Sequence, residues 1–260
     1  MAETIEIHQS ESILSIEMNR SEVHNAFNEV MIHELHEAFQ EASHNEELKV
    51  VILKASGRSF SAGADLNWMK KMVNYSREEN EKDSLALFDM IAAIQNCPVP
   101  TVARVQGSAL GGGCGLIAAC DMAFAAQRAK FGFTEVRLGL IPAVISPFVM
   151  QKVSSNACSR YFLTGDRFDS NQAKEMGLVH EVTATEEELD QLIEETVKSI
   201  LLSSPAAVRR AKKLIREVRG KSLFNSREYA ACEIASIRVS EEGQEGLQAF
   251  LGKRKPSWLS

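Results

Sequence analysis

Thr101-Val102-Ala103-Arg104-Val105, Gly107-Ser108-Ala109-Leu110-Gly111-Gly112-Gly113, Leu116-Ile117-Ala118-Ala119 and Met122-Ala123-Phe124-Ala125 follow one another with only a few residues between them. The first run is short and mostly apolar, and Pro98 and Pro100 stop any helix before it, so it reads as a buried strand. The glycines that follow make a turn. The apolar stretch beyond the turn is most simply a buried helix, and Met122 to Ala125 is a second strand. A strand, a crossing helix and a strand imply a sheet with helices packed on it, which places the chain in the α/β class.

The same rhythm extends outward. Ile5 and Ile7, then Ile13-Leu14-Ser15-Ile16-Glu17-Met18, are interrupted by Gln9-Ser10-Glu11 and predict a β-hairpin. After it Met31, Leu35, Ala38, Phe39 and Ala42 recur at helical spacing. Val50-Val51-Ile52-Leu53 is a buried strand that runs into a loop at Ser56-Gly57, and a polar helix is expected from about Ser76 to Gln95. From about Val182 the pattern turns wholly helical, with helices expected over Glu186 to Leu202, Pro205 to Val218 and Asn225 to Val239. This helical layer is expected to pack on the core or on a neighbouring subunit.

At 260 residues and 45% hydrophobic, the chain can bury one large core. Its 29 basic and 35 acidic residues leave a net charge of −6, so no global field draws nucleic acid or an anionic membrane. The N-terminal residues have no basic stretch followed by an apolar run, and no apolar run reaches the roughly 18 residues that span a bilayer. A cytoplasmic protein is expected. The five cysteines (Cys97, Cys114, Cys120, Cys158, Cys232) are scattered, which suits buried thiols in a reducing compartment, and nothing in the spacing of His and Cys suggests a metal.

Three segments could carry chemistry. Ser59-Phe60-Ser61-Ala62-Gly63-Ala64-Asp65-Leu66 follows a strand and is small enough for bare backbone to approach a ligand. Gly111-Gly112-Gly113 opens a helix, where unpaired N–H groups lie at the positive end of the macrodipole and can hold a phosphate or an enolate oxygen. It has neither the Gly-Lys-Ser/Thr ending of a P-loop nor dinucleotide-fold spacing. Phe131-Gly132-Phe133-Thr134-Glu135 sets a carboxylate among apolar and small groups. That Glu is either a general acid/base with a raised pKa or is paired with Arg137 or solvated.

In order and spacing these segments resemble the enoyl-CoA hydratase/isomerase (crotonase) family. Ala119-Cys120-Asp121, Leu138-Gly139-Leu140-Ile141-Pro142, Asn19-Arg20 with Asn25-Ala26, Leu163-Thr164-Gly165, Gly177-Leu178-Val179 and the ending from Gly246 to Leu251 with Lys253 to Pro256 extend the likeness over nearly the whole chain. The resemblance implies a ββα superhelix core over residues 1–200 and a C-terminal helical trimerisation region over 201–260. It also implies homotrimers that pair into hexamers, an acyl-CoA thioester substrate, and no cofactor beyond the coenzyme A that belongs to that substrate. It assigns the oxyanion-hole amides to Ala64 and Gly112 and the acid/base role to Glu135. It assigns contacts with coenzyme A to Val23, His24, Ala62, Ala64, Asp65, Leu66, Phe250 and Lys253. Within that list His24 reads as a turn residue, and the Asp65 carboxylate, like that of Asp121, reads as a cap on backbone N–H groups. Lys253-Arg254-Lys255 either meets the phosphates of coenzyme A or is a solvated run.

Two departures from the family pattern stand out. Hydratases of the family use a second glutamate two residues after the triple glycine, where this chain has Gly115. Where many relatives have Ile-Pro-Gly-x-Gly-Gly, this chain has Ile141-Pro142-Ala143-Val144-Ile145-Ser146-Pro147. The combination looks like the methylglutaconyl-CoA and carboxygeranoyl-CoA hydratase subgroup, whose substrates are branched and bear a second carboxylate. Hydration with Glu135 handling the proton transfers is expected, with water held partly by backbone or by the substrate's own distal carboxylate in the space left by Gly115. The alternatives are a double-bond isomerase using one glutamate, a silent acyl-CoA binder, or an RNA binder like one methylglutaconyl-CoA hydratase relative. The acidic balance and the lack of an aromatic-basic stripe oppose RNA.

Overall fold

Two sheets share the chain turn by turn. In the computed structural model, which describes residues 2–259, Met1 and Ser260 at the ends of the two expected regions lie outside the described residues. The elements run β1 (Ile5–Ser10), β2 (Ile13–Met18), α1 (Glu29–His44), β3 (Val50–Ala55), β4 (Ser59–Ser61), α2 (Leu66–Met72), α3 (Arg77–Asn96), β5 (Thr101–Val105), β6 (Ser108–Leu110), α4 (Gly112–Ala119), β7 (Met122–Ala126) and β8 (Lys130–Gly132). After a 3-10 turn over Glu135–Leu138 come α5 (Ser146–Val149), α6 (Ser155–Thr164), β9 (Arg167–Asp169), α7 (Ser170–Glu175), β10 (Glu181–Thr183), α8 (Glu186–Leu201), α9 (Pro205–Val218), α10 (Leu223–Arg238) and α11 (Glu241–Leu251).

The larger sheet has the order β1-β2-β3-β5-β7-β10 and is parallel except for the β1–β2 hairpin. The smaller has the order β4-β6-β8-β9, with only β8–β9 antiparallel. Each of the pairs β3/β4, β5/β6 and β7/β8 gives its first strand to the larger sheet and its second to the smaller. This is a ββα spiral, an α/β fold as the sequence implied. The smaller sheet had no counterpart in the sequence reading, because its three-residue strands, such as Ser-Phe-Ser and Ser-Ala-Leu, are too short to show a period.

Alternate residues of the larger sheet enter two cores. Val51, Leu53, Ala103, Val105, Ala123 and Ala125 face the main core with α1, while Val50, Val102, Phe124 and Ala126 pack under Leu189, Ile193 and Val197 of α8. Both faces are covered, which explains the near-continuous apolar strands.

Asp121 holds this arrangement at one end, as its strand-start position led us to expect. Its Oδ2 accepts hydrogen bonds from the Thr101 N–H (2.8 Å) and hydroxyl (3.0 Å) and pairs with Lys212 Nζ of α9 at 2.6 Å. Lys212 also donates to the Val99 carbonyl at 2.9 Å and is 7% exposed. Lys212→Ala leaves the carboxylate and carbonyl partly buried without their cation, and a loss of about 3 kcal/mol in denaturant unfolding is expected.

Cys97, Cys114, Cys120 and Cys158 are buried, but Cys232, also expected to be buried, is exposed. It lies on α10, which buries none of its residues within this chain. Among the described residues no helix is long and apolar enough to cross a membrane, and no group of three or more His, Cys, Asp or Glu gathers to hold a metal.

Candidate active site

The carboxyl ends of β4, β6 and β8, which lie side by side and parallel, deliver the three expected residues. Ala64 follows β4, Gly112 opens α4 after β6, and Glu135 follows β8. Groups at this edge of a parallel sheet converge while the strands beneath hold them rigid.

Phe27 orients the first of them. Its N–H donates to the Gly63 carbonyl at 2.7 Å and its carbonyl accepts from the Asp65 N–H at 2.8 Å, forming a parallel bridge with Ala64 between them. In such a bridge the middle residue turns its own N–H away, and the Ala64 N–H has no acceptor among the described residues. The Phe27 ring then reaches α4. A methyl group at Gly112 would stand 2.7 Å from Phe27 Cε2, so a bare backbone is required there. The Gly112 N–H, in the unpaired first turn of α4, also has no acceptor.

Glu135 stands against this turn. Gly111, at φ +50°, donates its N–H to Gly132 (2.9 Å), and the place of its missing Cβ lies 3.0 Å from Glu135 Oε1. Glu135 Oε2 is buried without a hydrogen-bond partner. Burial raises the pKa of this carboxyl above the ordinary 4.5, outweighing the opposing backbone N–H. Arg137, the partner that a structural role would use, turns instead to Asp166 at 2.6 Å. A buried carboxylate with a free oxygen, against the turn that bears one unpaired N–H and at the same sheet edge as the other, suits proton transfer next to a developing oxyanion.

The early turn lies next to this loop. Ala62 donates its N–H to the His24 carbonyl at 2.9 Å, leaving only its carbonyl for a ligand. His24 takes a left-handed conformation (φ 56°) and meets Ser59 Oγ through Nδ1 at 3.1 Å, so it is a turn residue, and Val23 beside it is half-buried. Leu66 is exposed. The Asp65 carboxylate cannot serve a ligand. Burial works against its charge, but Arg20 at 2.9 Å and the Asn67 and Trp68 N–H groups outweigh that and hold its pKa below the usual range. Its N–H is taken by the Phe27 carbonyl and its own carbonyl accepts from the Met69 N–H at 2.8 Å, so Asp65 keeps no spare donor for the coenzyme A contact that the resemblance implied.

Phe250 and Lys253 are not brought to this patch. Both are exposed at the end of α11, which packs on α9 and α10. Arg254 is withdrawn from the basic run by a bidentate pair with Glu245 (2.6 and 2.7 Å), which holds that carboxyl down to about 2.

The expected space at Gly115 is not there. A Cβ at this position would lie 2.5 Å from Ile145 Cγ2 and 3.2 Å from Ile91 Cδ1, and both isoleucines are buried. The Cγ2 methyl of β-branched Ile145 fills the place where water was expected. Ile145 and Phe27 are the residues of the site that the sequence reading missed; the departure at 141–147 contained the signal for the first.

The family model for enoyl-CoA hydratase/isomerase matches residues 8–260. The chain belongs to this family. Within it, the chain is similar to an enoyl-CoA hydratase of Shewanella pealeana, whose crystal structure has 40% identity and a TM-score of 0.95 over 99% of this chain and 96% of that one. It is also similar to the 2,3-dehydroadipyl-CoA hydratase of Escherichia coli (29% identity, 99% of each chain). A third relative is the crotonyl-CoA hydratase of Syntrophomonas wolfei, 29% identical over 99% of this chain and 98% of that one. The family's name covers both water addition and double-bond shifts, so the reaction must be argued from the residues.

Proposed function

We propose that the protein hydrates a 2-enoyl-CoA thioester, with the Ala64 and Gly112 N–H groups on the thioester oxygen and Glu135 as the acid/base. The observation that carries this reading is the Glu135 carboxylate, buried with one oxygen free, against the turn that presents the unpaired Gly112 N–H. Donors aimed at the carbonyl oxygen withdraw electrons from the conjugated double bond and stabilise the enolate that forms. Glu135 takes a proton from water as its oxygen joins C3, and returns that proton to C2. One molecule of water is added and the carboxylate is regenerated.

The acyl chain we infer is branched and carries a second carboxylate, as in 3-methylglutaconyl-CoA. Gly115 and the 141–147 segment support this through their likeness to that subgroup, and the Escherichia coli relative is named for a dicarboxylic acyl chain. The test is a panel of enoyl-CoA esters that includes 3-methylglutaconyl-CoA and crotonyl-CoA, followed by loss of enoyl absorbance in water enriched in the heavy oxygen isotope. Hydration places solvent oxygen in the product. A product of unchanged mass with a moved double bond would instead make the protein an isomerase.

Assembly into trimers and hexamers belongs to the same reading. Leu223, Phe224 and Val239 at the two ends of α10 are each about four-fifths exposed, as a subunit contact requires. Phe250 and Lys253, remote from the patch in their own chain, would then reach coenzyme A bound to a neighbour.

Because Glu135 must be ionised to accept the proton of water, kcat/KM is expected to rise with pH through its ionisation. Burial puts the midpoint above the ordinary carboxylate value of 4.5. A pH profile already flat from pH 5 upward would contradict this.

A further inference from the structure

The two departures of this sequence, Gly115 and the 141–147 segment, meet in space. Gly111 caps α4 and Gly115 lies one turn further on, the two joined by the hydrogen bond from the Gly115 N–H to the Gly111 carbonyl at 3.3 Å and about 6 Å apart along the axis. Glu135 Oε1 stands at the first position and the Ile145 side chain at the second. Ile145 is 3% exposed and caps α5, with its carbonyl accepting from the N–H groups of Phe148 (3.1 Å) and Val149 (3.0 Å). Pro142 and Pro147 on either side restrict the backbone further. It cannot move aside cheaply. In the Ile-Pro-Gly-x-Gly-Gly pattern of many relatives, position 145 is a glycine, so a small residue there faces a large one at 115. In this chain the sizes are exchanged.

We propose that Gly115 and Ile145 are one coupled pair, in which the Ile145 side chain takes the place of a second side chain one turn of α4 from Glu135 and so selects which enoyl thioesters are turned over. The inference rests on the proposed hydration. An apolar wall one helical turn from Glu135 gives water no partner at that point. A substrate that brings its own carboxylate supplies one; a plain enoyl chain does not. Ile145 is therefore a specificity-determining residue, and crotonyl-CoA is expected to be a poor substrate of the parent enzyme beside 3-methylglutaconyl-CoA.

The exchange can be reversed. Gly115→Glu alone is expected to fold poorly or melt well below the parent, since its Cβ meets Ile145 Cγ2 at 2.5 Å. Combined with Ile145→Gly it should recover thermal stability and hydrate crotonyl-CoA at least about tenfold faster than the parent. Gly115→Gln with Ile145→Gly should recover the stability without the rate. Equal rates for the Glu and Gln pairs, or pairs that fold but melt no higher than Gly115→Glu alone, would overturn the proposal. Should neither pair fold, Ile145→Ala decides: its ratio of kcat/KM for crotonyl-CoA over 3-methylglutaconyl-CoA must rise at least about fivefold, and a smaller change counts against the role of Ile145. A parent that turns over neither ester would instead refute the hydration reading, which separates the two failures.

Discussion

Glu135→Gln is expected to abolish measurable hydration, lowering kcat by at least about 100-fold, while binding of acyl-CoA is largely retained and the folded protein becomes more stable near neutral pH. The first effect follows from the loss of the carboxylate that stands against the turn bearing the unpaired Gly112 N–H, since positioned proton transfer contributes about 100- to 10,000-fold. The second follows from linkage. The folded-state pKa of Glu135 is raised above its unfolded value by burial, so the folded state binds this proton more tightly. The contribution of the group to stability therefore falls as pH climbs from the ordinary carboxylate range through the raised value, and above it the buried charge stays unfavourable. Glutamine keeps the shape without the charge. Steady-state kinetics, titration with an acyl-CoA and thermal unfolding at pH 7 test the three parts together. Near-normal turnover would end the proposed mechanism, and a lower melting temperature would contradict the origin assigned to the pKa shift.

Gly112→Ala is expected to lower kcat by about 100-fold, the loss typical of removing one oxyanion donor. The added methyl would stand 2.7 Å from Cε2 and 3.1 Å from Cδ2 of Phe27. That ring is 1% exposed and its backbone is bonded on both sides of Ala64, so the first turn of α4 is the part that must shift. A displaced N–H no longer points at the thioester oxygen. Phe27→Leu in the same chain removes the ring atoms that the methyl meets, and a partial recovery of kcat is expected. If the double variant is no faster than Gly112→Ala alone, the contact with Phe27 is not the cause.

Much of this was legible in the chain itself. The hairpin, the strands Val50–Ala55 and Thr101–Val105, the helix after the triple glycine and the three long helices from Glu186 onward were expected from local pattern, and each is present. The second sheet was not legible. Its strands are short and held by neighbours distant in sequence, as Ser61 is by Ala109 and Phe131 by Phe168. Yet that sheet is what brings Ala64, Gly112 and Glu135 to one edge.

The sequence by itself determined the family and the α/β class, because order, spacing and small-residue runs are local properties, and through the family resemblance it named one carboxylate and two backbone positions as candidates. It also marked Gly115 and the 141–147 segment as unusual. Only the tertiary structure decided what they mean. Whether a glycine leaves space or yields it depends on which side chain arrives from elsewhere, and here Ile145 arrives. In the same way only the fold turned Arg137 to Asp166, consumed the Asp65 carboxylate with Arg20, and left Glu135 Oε2 buried without a partner. Local pattern names the groups that can do chemistry; close packing from distant parts of the chain determines which of them stay free to do it.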